Sequence, residues 1–351
     1  MSLPVNPPLA PMLAKPAAEL PRGEGWLYEP KWDGFRCVVF RDGEHLELAS
    51  RSEKPLTRYF PELREPLLQG LPQRCVLDGE VVISTEGGLD FDALLQRIHP
   101  AESRVSRLAQ ETPASLVAFD LLAQGDHDLR TEPLWERRRQ LAELIGAGEP
   151  RLRLTPQTDD PAVAADWFSR FEGAGLDGVI AKRRELLYVE GRRVMVKVKH
   201  QRTADCVVAG FRWHKDGLGV GSLLLGLYDQ TPRLQHLGIT SSFTAERRRE
   251  LVAKLEPYQL EDGEDHPWVT SAAAAGERRP GTPSRWTAKR DLSFVPLRPE
   301  LVCEVAYDHL QGDRFRHGTT FRRWRPDRDP RSCSYSQLEV VVPAELAQLF
   351  S

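Results

Sequence analysis

At 351 residues, 40% hydrophobic and 28% charged, the chain has an ordinary globular composition and the length of two domains, which excludes a disordered or fibrous polypeptide. A net charge of −3 with a pI near 6.3 gives no bulk sign of a nucleic-acid partner. Apolar runs fall short of the roughly 20 residues of a membrane span.

The opening residues, MSLPVNPPLAPMLAKP, lack the basic and apolar regions of a secretion signal and read as an extended arm stiffened by proline. Short runs rich in β-branched residues then predict buried strands at Cys37–Phe40, Cys75–Leu77 with Val81–Ile83, Leu116–Phe119 and Gly178–Ala181. Helical spacing with polar outer faces predicts helices over Pro133–Leu144 and Ala162–Phe171. After His200 the texture changes to successive strands, at Asp205–Phe211, Ser222–Tyr228 and Leu234–Ile239. A helix follows over Thr244–Leu255, opened by a Thr244 cap, and then strands at Val302–Tyr307 and Thr320–Arg325. This second series suits a small Greek-key barrel of the OB type, with a long loop near Thr270–Ser284. The boundary is expected between a domain of residues 1–202 and one of 203–351, with a hinge near His200–Ala204.

The five scattered cysteines contain no C-x-x-C pair, which argues for a reducing, cytoplasmic setting. The histidines lack ligand spacing for a transition metal. Gly217–Gly221 resembles a phosphate-cradling loop, but no helix follows it, so a hairpin is expected. Between Asp313 and Arg331 seven arginines face three acids, a stripe that suits either phosphate contact or a solvated strand face. In Lys31-Trp-Asp-Gly34 the Asp-Gly pair is a turn signal, which puts Lys31 at a strand-to-turn junction. Alone, that is the description of many surface lysines.

The segment does not stand alone. Glu29-x-Lys31-x-Asp33-Gly34-x-Arg36 resembles the first motif of the covalent nucleotidyltransferases, the superfamily of ATP-dependent DNA ligases, RNA ligases and mRNA capping enzymes. Ser50-Arg51, Asp78-Gly-Glu80, Ala118-Phe-Asp-Leu121, Asp177-Gly-Val-Ile-Ala-Lys182, Lys197-x-Lys199 and Arg323-Trp-Arg-Pro-Asp-Arg328 resemble the later motifs, in order. The texture of Phe91–Pro100 and Val196–His200 is similar to the small stand-alone bacterial ligases of the C type. The resemblance covers nearly the whole chain and implies an α+β protein: a nucleotidyltransferase (ATP-grasp-like adenylation) domain followed by an OB-fold barrel.

It implies, further, that Lys31 is the nucleophile that takes AMP from ATP. A lysine amine attacks phosphorus only when unprotonated, and burial beside other cations would supply that form. Phe119 would stack on adenine, and Glu29 would accept from its amino group. Arg36 and Arg51 would reach ribose or phosphate. Lys197 and Lys199 share a strand face, and Lys182 is expected to join them at the phosphates. Glu80 and Asp177 would hold Mg²⁺, with Mn²⁺ as an alternative. Arg323, Arg325 and Arg328 would grip pyrophosphate as the barrel closes, then release it as the barrel swings to DNA. Two positions depart from the pattern: Asp177 stands where the family has Glu, and Arg328 where it has Lys. The expected partner is nicked double-stranded DNA, with repair polymerases or end-binding proteins as recruiters, no membrane, a monomeric state and a nucleoid-associated location. With little sequence ahead of Lys31, a weak or partner-assisted grip on DNA is expected. RNA ligation or capping is the alternative within the superfamily, though Glu29 argues against guanine. A silent DNA-binding scaffold is the alternative outside it.

Overall fold

A computed structural model describes residues 1–338 apart from 86–87, 146–148, 201, 262–263, 270–278, 281–291 and 309. Most of the loop expected near Thr270–Ser284, and Gln201 of the expected hinge, lie outside the described residues. Contacts divide the chain into two compact units, one covering Met1–Lys199 and one beginning at His200.

The first unit is built on two sheets. One has four strands in the order β1 (Leu13–Ala17), β9 (Arg193–Val198), β8 (Val179–Arg183) and β2 (Trp26–Pro30). The other follows the path β7 (Leu152–Leu154), β6 (Ser115–Gln124), β5 (Arg74–Val82), β3 (Phe35–Asp42) and β4 (His45–Ser50). The two runs predicted around Asp78-Gly79 are therefore one strand. β5 is buried on both faces because both are covered. Leu63, Leu67, Leu94 and Leu141 pack on one side, and the cluster of Val76 with Val38, Leu122 and Met195 forms on the other.

The proline-rich arm belongs to that second cluster. Leu3, Val5, Leu9 and Met12 are each no more than 5% exposed, a burial that contributes about 1.5–3 kcal/mol per large side chain. Leu13–Ala17 then pairs in parallel with β9. The arm is thus a structural edge, and its prolines had hidden a strand. The helices fall where their periodicity predicts: α1 (Leu134–Leu144) and α2 (Pro161–Arg170), the latter opened by Asp160 accepting from the Ala162 amide with Pro161 in the first turn.

In the second unit, five antiparallel strands run in the order β12 (Leu234–Thr240), β11 (Val220–Tyr228), β10 (Arg202–Trp213), β13 (Val295–Tyr307) and β14 (Thr320–Trp324). Helix α3 (Ala245–Leu255) follows β12, and Thr244 caps it by accepting from the Arg247 amide. β13 starts seven residues before the expected Val302. Pro296 and Pro299 break its sequence signal, and Pro296 is accommodated opposite Gly210, where the pairing register shifts. The Gly217–Gly221 segment is, as expected, a hairpin connection between β10 and β11. No helix of the described residues is long and apolar enough to cross a membrane.

Candidate active site

Register in the four-stranded sheet lines up the first group of side chains. Ile180 pairs with Glu29 on one side and Lys197 on the other, so these three stand in one row on one face, with Lys182 two residues further along that face. Lys31 follows β2 directly. Its amide donates to the Gly178 carbonyl at 2.8 Å and its carbonyl accepts from the Asp177 amide at 2.9 Å. Only glycine fits at 178: its φ is +127°, and a Cβ there would lie 2.0 Å from the Val198 carbonyl oxygen. The Lys31 side chain is therefore held against Asp177. Gly34 has a different reason from the turn read in the sequence, since a Cβ there would lie 2.3 Å from the Val81 carbonyl oxygen.

The second sheet supplies the facing wall. Arg36 pairs with Glu80 across β3 and β5. Between β5 and β6 the register shifts, so that Gly79 faces Ala118 while Asp78 faces Asp120. Phe119 is the extra residue of this bulge, a device that re-aims a side chain. The Arg36 guanidinium lies 4.4 Å from the Phe119 ring centre and the Lys182 ammonium 4.9 Å. Arg36 is fixed from behind by a two-point contact to the fully buried Asp78, at 2.5 and 2.6 Å. Tyr188 donates to the same carboxylate at 2.6 Å and accepts from the Met12 amide at 3.2 Å. Burial, and then the Asp78 charge, push the Tyr188 phenol well above its ordinary range, which keeps its proton in place.

The two walls enclose a cavity of about 640 Å³ lined by Glu29, Lys31, Arg36, Arg51, Glu80, Phe119, Lys182 and Lys197. Eight sequence-predicted residues thus meet at one place. Asp177 joins through its ion pair with Lys31, and Lys199 through an ion pair with Asp177 at 2.8 Å. The shorter aspartate side chain reaches both lysines. Burial, and after it the positive Lys199 and Lys31, lower the pKa of Lys197, so these three cations stand near one another.

Lys182 does not belong to that cluster. It is buried and pairs with Glu29 Oε2 at 2.7 Å; on β8 it stands two residues from Ile180, diagonal to Glu29, and the opposite charge of that carboxylate holds it there. The Glu80 carboxylate has no hydrogen bond or ion pair among the described residues, although its backbone belongs to β5. Burial raises its pKa to about 7 against the opposing Arg36 and Lys31 charges, so a bound cation would satisfy a carboxylate that the protein leaves unpaired.

The three predicted arginines of the last motif lie in the second unit. Arg323 pairs with Glu304 at 2.6 Å and keeps 65% of its side chain exposed. Arg325 is tied by two 3.0 Å bonds to Asp205 and by further bonds to Asp327, and Arg328 approaches Asp205 at 3.6 Å. Sequence reasoning missed Asp205, Asp78, Tyr188 and Gln157, whose amide donates to Glu29 Oε1 at 2.8 Å. Asp78 stood inside a recognised motif, but no local pattern marks the others.

Residues 11–199 match the ATP dependent DNA ligase domain, and residues 216–328 the ATP dependent DNA ligase C terminal region. The chain is 54% identical to DNA ligase C of Mycobacterium tuberculosis over 99% of both chains. It is 31% identical to the multifunctional non-homologous end joining DNA repair protein LigD of the same species, over 92% of this chain and 39% of that one. A solved Lig E DNA ligase shares the fold at 15% identity with a TM-score of 0.55, covering 90% of this chain and 99% of that one.

Proposed function

The chain belongs to the ATP-dependent DNA ligase family, and we propose that it seals nicks in duplex DNA through an AMP carried on Lys31. The observation that carries this reading is the fixed backbone of Lys31 at the cavity wall, between a group of contacts suited to a base and a group suited to phosphates. Glu29 and the Phe119 face take adenine; Lys197, Lys199 and Arg51 take the triphosphate, and Arg36 reaches ribose or phosphate. The Lys31 nitrogen attacks the α-phosphorus, a P–N bond forms, and pyrophosphate leaves with the electron pair of the broken P–O bond. Attack needs the free amine, so the Lys31–Asp177 pair opens first, and Lys199 already competes for the same carboxylate. An oxygen of the DNA 5′-phosphate then displaces Lys31 from the AMP. The 3′-hydroxyl attacks that activated phosphate, closing the backbone and releasing AMP.

Glu80 and Asp177 offer the oxygen donors that Mg²⁺ takes. Among the described residues no group of three protein ligands is assembled, so phosphate oxygens and water would complete the shell. When bound, Mg²⁺ supplies charge against the α-phosphate and the departing pyrophosphate, and Mn²⁺ could substitute. By sequence the adenylation domain covers 1–202 and an OB-type barrel 203–351. We assign Arg323 and Arg328 of the barrel to pyrophosphate, with Arg325 as their brace on Asp205. DNA repair is the setting that fits the named relatives, with a repair polymerase or end-binding protein as recruiter. Incubation of Lys31→Ala with labelled ATP is expected to leave no enzyme–AMP adduct. An adduct that survives on this variant would overturn the assignment.

A further inference from the structure

The segment after β7, Thr155–Thr158, contains no residue of the ligase motifs, yet it holds the Lys31 strand on both sides of the nucleophile. Its first residue is bonded to the second sheet, the Thr155 amide donating to the Ala118 carbonyl at 2.9 Å. The Thr155 hydroxyl accepts from the indole of the buried Trp32 at 2.8 Å. Its last residue is bonded to the first sheet, where Thr158 and Tyr28 exchange backbone bonds of 2.8 and 3.0 Å. Between these anchors Gln157 donates to Glu29 Oε1 at 2.8 Å, while Lys182 takes Oε2 at 2.7 Å.

The geometry points to Gln157 as a positioning residue that sets base specificity by fixing the plane of the Glu29 carboxylate. An ammonium is a point charge and holds a carboxylate oxygen without fixing its plane. Adding an amide on the other oxygen makes a two-point hold. The direction of the amide is itself determined, because an ionised carboxylate only accepts and so only the NH₂ end can face it. Each carboxylate oxygen keeps a second lone pair. With the plane fixed, one of these is presented to the cavity as an acceptor aimed in a set direction. That selects a purine with an amino group at position 6 over one with a carbonyl or nothing there. Gln157 does not line the cavity, so it acts through Glu29.

This inference rests on the reading of Glu29 as the adenine acceptor. The test measures enzyme–nucleotide adduct formation at varied nucleotide concentration, with ATP and with the triphosphate of unsubstituted purine riboside, for wild type, Gln157→Leu and Gln157→Glu. Wild type is expected to prefer ATP. Gln157→Leu is expected to raise the half-saturating ATP concentration about tenfold, the order expected for losing one hydrogen bond to a charged group. Its saturating rate is expected to hold, and its preference for ATP over the analogue to fall by a similar factor. Gln157→Glu, which sets a second negative charge against Glu29, is expected to lose more of the preference. A variant equally impaired with both nucleotides, or impaired only in saturating rate, overturns the proposal, since general structural damage would look like that. A wild type indifferent to the amino group overturns the Glu29 reading itself. A discriminating wild type beside a Gln157→Leu variant of unchanged preference overturns the role of Gln157 alone.

Discussion

Replacing Glu80 by Gln is expected to make the protein more stable and less active, with a pH dependence that identifies the cause. Burial raises the Glu80 pKa from 4.5 to about 7 in the folded protein, so the folded state disfavours the ionised form that the unfolded chain accepts. Below pH 4.5 the group is protonated in both states and costs nothing. Above pH 7 it is ionised in both, and the full cost applies. At 1.36 kcal/mol per pH unit the ceiling is about 3.4 kcal/mol. Glu80 is only partly buried, and water screening reduces this to about 1–2 kcal/mol. For a domain of this size that corresponds to about 2–8 °C in Tm. Thermal melts with chelator and without nucleotide would compare Glu80→Gln with wild type at pH 8.5 and pH 5. The variant is expected to melt higher at pH 8.5, with the gap closing towards pH 5. Single-turnover adduct formation, by contrast, is expected to fall, because the amide is a poorer ligand for a divalent cation. A variant that melts at or below wild type at pH 8.5 would show that Glu80 is not strained by its surroundings, and the case for it as a cation ligand would lose its physical basis.

Two further outcomes follow from the packing. Gly178→Ala should destabilise the first unit by roughly 2–4 kcal/mol, since the methyl has no space and the backbone is strained. It should also slow adduct formation by displacing Lys31, and denaturant unfolding at wild-type midpoint would refute the contact. Arg325→Ala should lower stability, because charge-assisted bonds are lost and Asp205 is left with weaker partners. A variant with unchanged stability but reduced adduct formation would instead assign Arg325 directly to pyrophosphate.

Much of the site was legible in the sequence because its residues lie in short motifs whose spacing matches strand period. Glu29 and Lys31, or Lys197 and Lys199, occupy alternate positions, so their grouping follows once the strands are placed. What escaped depends on pairing between distant segments. The Phe119 side chain reaches the cavity through a bulge, which no propensity encodes. Lys182 lies with Glu29 because opposite charges pair across neighbouring strands, a contact between segments far apart in the chain. Gln157, more than a hundred residues from Glu29, carries no local signal. The strands that went unread, Leu13–Ala17 and the start of β13, were those interrupted by proline, where edge position or a bulge allows what propensity discourages.

The first strand of the molecule has its partner near the end of the same unit: Arg193 reaches back to the carbonyl of Ala14, 179 positions earlier. A chain leaving the ribosome therefore carries an apolar arm whose binding groove does not yet exist. The pairing of Leu13–Ala17 can form only after β9 has been made, and closing so long a loop is the kind of contact that slows folding. The same arm brings the Met12 amide to Tyr188, and through Tyr188 to Asp78 and Arg36. The arm thus completes the support of an arginine in the cavity, and that support is whole only once residues as distant as Met12 and Tyr188 have both been made.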